Sequence, residues 1–213
     1  DRKWRRVLLR FGVVPVNEDG SAAFEVPADT GFQLQALDEN GMAVMTMRSL
    51  MYVRPGEVMG CVGCHEYQAA GQAAAAHSPP RMVVNTPEPL PGPQYEGGFS
   101  FMRTVQPVLD RHCIRCHGLG EKPAGDLNLL ADHAYASLTS RPGLVAIALS
   151  NQETFVSSPM DYFAHAGRLA DILLAGKMGE QIIDLPRDDL NRIIAWLDLN
   201  GQCFGDLFPN RIE

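Results

Sequence analysis

Two copies of one five-residue pattern restrict this chain more than anything else in it: CVGCH at Cys61 to His65 and CIRCH at Cys113 to His117. Together they take four of the five cysteines and two of the six histidines. Thiols three residues apart can each add across a vinyl group of one haem, and the residue that follows then lies under the iron as an imidazole ligand. The spacing therefore predicts covalent c-type haem at both places. Cys61, Cys64, Cys113 and Cys116 are the expected thioether anchors, and His65 and His117 the proximal ligands.

Other chemistries use paired cysteines, and each fits less well. Zinc sites built from two Cys-x-x-Cys halves usually place them about 15 to 20 residues apart and do not need a histidine after each pair. Cys64 and Cys113 are much further apart than that. A thioredoxin-like redox motif would sit beside a βαβ pattern, which this sequence lacks. Two disulfides in a secreted protein would leave both motif histidines without a purpose.

The 213 residues suffice for one large domain or two small ones, and the distance between the motifs favours two. No run of about 18 apolar residues is present to span a membrane. The opening DRKWRR has neither a methionine nor an apolar signal region, so a processed chain or a fragment is expected. Haem attachment needs reduced thiols and an export-side assembly system, which puts the protein in a periplasm or outside the cell. A formal net charge of −7, before any haem carboxylates, argues against nucleic acid and favours steering of a basic redox partner.

The first segment reads as short strands, VLLRFGVVPV, AAFEV, FQLQALD and AVMTMRSLMYV, separated by turns at EDG and DENG. The expectation is a small antiparallel β-sandwich over 1–77 that ends in the first motif. Its methionines from Met42 to Met51 are core filler more often than iron ligands. Residues 78–98, with their many prolines, form a stiff connector. From 99 to 213 the pattern turns helical. FSFMRTVQPVLDRHC carries Phe101, Val105, Val108 and Leu109 on one stripe, with Ser100 as the expected N-cap. AHAGRLADILLAG is a third helix ending at Gly176. PRDDLNRIIAWLDLNG has an apolar face of Leu190, Ile193, Ile194 and Leu197, a stop at Gly201, and Trp196 as a core residue where first and last helices meet. The fold class is thus α+β: a haem-bearing sandwich followed by a mostly helical domain arranged like a class I cytochrome c.

The order of these pieces carries a family resemblance. FGVVPVNEDGSAAFEVPADTGFQLQALDENGMAVMTMRSLMYVRPGEVMGCVGCHE resembles the middle domain of the hydrazine synthase alpha subunit and its secreted relatives. FSFMRTVQPVLDRHCIRCHG, SSPMDYFAHAGRL and DLPRDDLNRIIAWLDLNG resemble the cytochrome c-like domain that follows it. The propeller that precedes these domains in the full-length enzyme is missing, so the expectation is a C-terminal part of a larger polypeptide or a trimmed relative. The resemblance implies bis-histidine ligation of the second haem, with His165 as distal partner of His117. Residue reasoning alone reaches His165 more weakly, as a histidine opening a helix that must find a partner if buried. Met160 is its main rival, with His133 or an open site behind it. His112 is read as a surface residue or a haem-carboxylate neighbour.

For the first haem the resemblance implies a reactive iron held by a tyrosine, with zinc nearby. The tyrosine expected four residues after the motif histidine is Ala69 here, so His65 is assigned as an ordinary ligand. Tyr67 is read mainly as a packing residue, and His77 is a distal candidate that a solvated histidine rivals. Zinc is left open and is not an expectation. Cys203 lies outside both motifs and reads as a buried or interface thiol. Two functions compete: electron transfer between redox partners or other subunits of a complex, and small-molecule haem chemistry at the first site. A binding module with incidental haems is a distant third.

Overall fold

The structure is a computed structural model, and it describes residues 10–47, 49–61, 83–90, 98–118, 122–147, 158–178 and 180–205. The chain divides into two compact units, one of residues 1–10, 35–46 and 90–213, the other of residues 11–34 and 47–89.

The larger unit is built on helices. A π-helical turn, Phe101–Val105, runs into α1, Gln106–His112, and the Gln106 N–H reaches back to the Phe101 carbonyl. Pro107 has no N–H to give the ladder, so the regular α pattern starts only around it. Ser100 is extended at the cap position, yet its side chain makes no capping hydrogen bond, contrary to the sequence expectation. The second motif forms α2, Ile114–His117, and a 3₁₀ turn at Ala124–Asp126 follows. Next come α3, Ala134–Thr139, α4, Phe163–Ala166, and α5, Arg168–Leu174. A short hairpin of β3, Lys177–Met178, and β4, Gln181–Ile182, precedes α6, Arg187–Asp198.

The continuous helix expected over AHAGRLADILLAG is broken at Gly167, which is extended (φ −107°, ψ 139°). A Cβ there would lie 2.9 Å from the Leu144 carbonyl oxygen and 3.0 Å from the Ala146 nitrogen, so only glycine permits this approach. The approach satisfies the otherwise orphaned N–H groups of α5: Arg168 donates to Gly143 and Leu169 to Leu144.

The core of this unit joins both ends of the helical region. Phe101, Val105, Val108 and Leu109 are all buried, as are Leu190, Ile193, Ile194 and Leu197. Trp196 is fully buried, its ring centroid 5.1 Å from that of Phe101 and 6.4 Å from that of Tyr135. Trp196 Nε1 donates to the Gln202 carbonyl, which removes the cost of burying that group.

An antiparallel hairpin of β1, Gln35–Leu37, and β2, Ala43–Thr46, belongs to this helical unit. Its turn places Gly41 at φ 82°, with the Gly41 N–H bonded to the Asp38 carbonyl. Met42 is in the core, and Arg187 at the start of α6 donates to the Glu39 carbonyl at 3.0 Å.

In the smaller unit the described pairing consists of isolated bridges: Val13 with Glu88, Phe24 with Asn85 and Phe32 with Met51. Two of these recruit residues from the proline-rich stretch. Phe32 and Val53 are its buried apolar side chains among the described residues. Many others stay exposed, including Val16, Leu50, Tyr52, Val58 and Val83. No helix among the described residues is long and apolar enough to cross a membrane.

Candidate haem centres

The second motif lies wholly within the described residues and is held from several sides. Cys113 N–H bonds to the Leu109 carbonyl, which carries the helix into the motif, and His117 N–H bonds to the Cys113 carbonyl. The chain beyond the motif then folds back on the histidine. Leu129 N–H donates to the His117 carbonyl at 2.7 Å, while Gln106 Nε2 holds the Leu129 carbonyl at 3.0 Å. This return brings the Ala124 carbonyl to 3.0 Å from His117 Nδ1. A carbonyl can only accept, so Nδ1 carries a proton, which in the uncharged ring leaves the lone pair on Nε2. Gly118 is needed where the return passes closest: a Cβ there would meet Leu130 at 2.9 Å and Ile114 at 3.3 Å.

Cys113 and Cys116 are free thiols, the first half-buried and the second exposed. Burial, helped by the neighbouring Cys116, pushes the Cys113 thiol up to about 11. Catalytic Cys-x-x-Cys pairs have a thiol shifted the other way, so the shift at Cys113 is not that of a redox nucleophile. Two free thiols beside an imidazole held at Nδ1 fit a covalently held haem, for which Cys113 and Cys116 would be the tethers and His117 Nε2 the ligand atom.

His165 is brought to a different set of partners. It lies on α4 with its side chain 14 % exposed, and its Nε2 is 3.2 Å from Asp38 Oδ2 in the hairpin turn. The alignment is poor, and Nε2 is left buried without a hydrogen bond. These facts pull in opposite directions for an iron ligand: an unsatisfied buried Nε2 is what a ligand atom offers, but the Asp38 carboxylate occupies its approach. Met160 is half exposed, in the left-handed region at φ 67°, and its N–H bonds to the Val44 carbonyl. His133 is exposed at the start of α3. His112 is not turned to solvent alone: its Nε2 lies 2.9 Å from Asp189 Oδ2, and Arg111 holds the other oxygen at 2.7 Å. Burial works upward on the Asp189 carboxyl, but these two hydrogen bonds and charges together hold it below the usual range.

Sequence reasoning missed the residue that organises the His165 region. Asp198 is 4 % exposed, at the end of α6. Its Oδ2 accepts the Ala43 N–H at 3.0 Å, and its Oδ1 accepts the Ala164 N–H at 3.2 Å, so one carboxylate clasps β2 and α4 together. Gln35 Nε2 adds a bond to the Asp198 carbonyl. Burial pushes the Asp198 carboxyl up to about 6, against the pull of the two N–H donors and of the charges of Arg10 and His165.

Of the first motif, the described part is Cys61, an exposed free thiol. Cys64, His65, Tyr67 and His77 lie outside the described residues. Cys203 is a half-buried free thiol raised by burial, and its carbonyl accepts the Phe101 N–H. Among the described residues no cluster of three or more His, Cys, Asp or Glu side chains is placed to hold a metal ion.

Residues 2–66 match the hydrazine synthase alpha subunit middle domain. The matched stretch contains the entire first motif, Cys61 to His65. No curated protein and no solved structure matches the chain.

Proposed function

We propose that this chain is a c-type cytochrome with two haems, one on each Cys-x-x-Cys-His motif, that passes electrons between partner proteins in a larger periplasmic or extracellular assembly. The observation that carries this reading is the 3.0 Å contact between His117 Nδ1 and the Ala124 carbonyl, beside two free motif thiols. When bound, each haem supplies a one-electron ferric–ferrous couple. The protein's own part is to hold that couple still. Cys113 and Cys116 would tether the ring, His117 would offer its Nε2 to the iron, and the Phe101–Trp196 core keeps the two ends of the helical unit from shifting. A rigid site needs little rearrangement when charge changes, which suits electron transfer. The net charge of −7 draws a basic partner toward the molecule. The segment's kinship with a subunit of hydrazine synthase supports work within a multisubunit complex.

A second reading, small-molecule redox chemistry at the first motif, is favoured by the match of residues 2–66, which includes Cys61, Cys64 and His65. Carbon monoxide titration of the reduced, haem-matured protein separates the two. Electron transfer predicts two haems per chain by pyridine haemochrome and no binding at either iron. Stoichiometric binding at one iron would transfer the weight to the enzyme reading, and an intact mass without haem would sink both.

A further inference from the structure

We infer that Gln106 is a positioning residue for His117: its amide keeps the Ala124 carbonyl on His117 Nδ1 and so sets how strongly the imidazole donates to iron; this rests on the two-haem reading above. Gln106 opens α1 about two turns before Cys113 and is 2 % exposed. Its Nε2 donates to Asp110 Oδ1 at 2.7 Å and to the Leu129 carbonyl at 3.0 Å. An ionised carboxylate and a carbonyl only accept, so the orientation of the amide is fixed and both of its protons are spent. The Leu129 N–H in turn donates to the His117 carbonyl at 2.7 Å. One side chain thereby pins Leu129 against the helix that leads into the motif, and the stretch 122–129 carries the Ala124 carbonyl to 3.0 Å from His117 Nδ1.

Two observations separate this role from packing. Gln106 Oε1 is buried and accepts no hydrogen bond among the described residues, a cost that an apolar side chain of the same length would not carry. An amide here is a poor core filler, and what it adds is its pair of donors. The other observation concerns the remaining tethers of the stretch. Arg141 donates to the Gly125 carbonyl at 2.8 Å, but from an exposed position, where water can take its place. Leu127 and Leu129 bury their side chains in the core, yet apolar burial is non-directional and does not aim a carbonyl at a ring. The Gln106 bond is both buried and directional. A hydrogen bond at Nδ1 makes a ligating imidazole more basic, and a more basic ligand favours ferric iron.

The test is a spectroelectrochemical titration of both centres in the full haem-matured chain, with a Cys113→Ser/Cys116→Ser variant to assign which centre belongs to the second motif. Gln106→Met keeps the length of the side chain and removes both donors. It should retain two haems by intact mass and make the second centre easier to reduce, by about tenfold in its reduction equilibrium, or about 59 mV for one electron. The His117 Nδ1–H, followed by proton NMR of the reduced protein, should exchange with deuterium about tenfold faster. The first centre should stay where it is. Val108→Ala, at a fully buried position on the same helix, should lower the melting temperature but move neither potential nor ring exchange. A second centre that keeps its potential and exchange in Gln106→Met, or that moves as far in Val108→Ala, would reduce Gln106 to packing and overturn the inference, while the two-haem reading stood. If Gln106→Met does not mature, Gln106→Asn, too short to span both acceptors, is judged by the same outcomes. Absence of haem mass on the second motif of the unaltered chain would overturn both.

Discussion

The surroundings of the two motifs differ in what the polypeptide supplies. Around the second, the described chain is tied at several points: His117 is bonded at its ring, its N–H and its carbonyl, and the helices behind it share a core that includes Trp196. Before the first, the chain is paired by isolated bridges, and Leu50, Tyr52, Val58 and Met59 face outward. The contrast teaches that the second motif is held by packing and hydrogen bonds, whereas the described residues leading to the first leave large apolar side chains open to solvent.

The comparison breaks most easily at Trp196. Trp196→Ala should lower the unfolding free energy of the helical unit by about 3–5 kcal/mol, as large-to-small changes at closed core sites do. Val58→Ala, at 95 % exposure, should stay within about 0.5 kcal/mol. Urea unfolding of both variants followed by far-ultraviolet circular dichroism gives the answer, and equal effects would erase the distinction.

A smaller effect comes from Asp198. In the folded protein its carboxyl keeps a proton up to about pH 6, while in the unfolded chain it loses it near the ordinary value of 3.8. The folded state therefore binds more protons across that interval, and this group's contribution to stability falls as pH rises from about 4 to 6, by about 3 kcal/mol at most. Asp198→Asn removes that dependence but also turns an amide donor toward Ala43 or Ala164. Its stability deficit should thus be larger at pH 4 than at pH 7. Unfolding curves that keep a constant gap across this range would show that Asp198 is ionised throughout.

The two glycines next to the motifs sharpen the contrast further. Gly118→Ala must push Leu130 aside, at a cost of about 1–3 kcal/mol. Gly60→Ala meets nothing within 4 Å and should be close to neutral. Thermal melts of the pair decide it, and a neutral Gly118→Ala would mean that Leu130 yields freely.

Much of this was legible locally. The buried stripe of Phe101, Val105, Val108 and Leu109 follows from helical spacing, and Gly20, Gly41, Gly176 and Gly201 all occupy positive φ where turns or helix ends were expected. What escaped depends on partners far apart in the chain. The Asp198 to Ala43 bond spans 155 residues, and no local pattern distinguishes that acid from a solvated one at a helix end. The break at Gly167 is set by the 144–146 backbone, and the hairpin 35–46, written as part of a run of strands, groups with the helices instead. At the site, the motif residues could be named from spacing alone, but the Ala124 carbonyl that fixes the His117 tautomer has no side-chain signature.

That carbonyl has a consequence of its own. Because the acceptor is main chain, no single substitution at position 124 can delete it, so the electronic character of the His117 ring is insulated from mutational drift. A carboxylate in its place would be both erasable and basic enough to draw off the ring proton; an amide oxygen is neither.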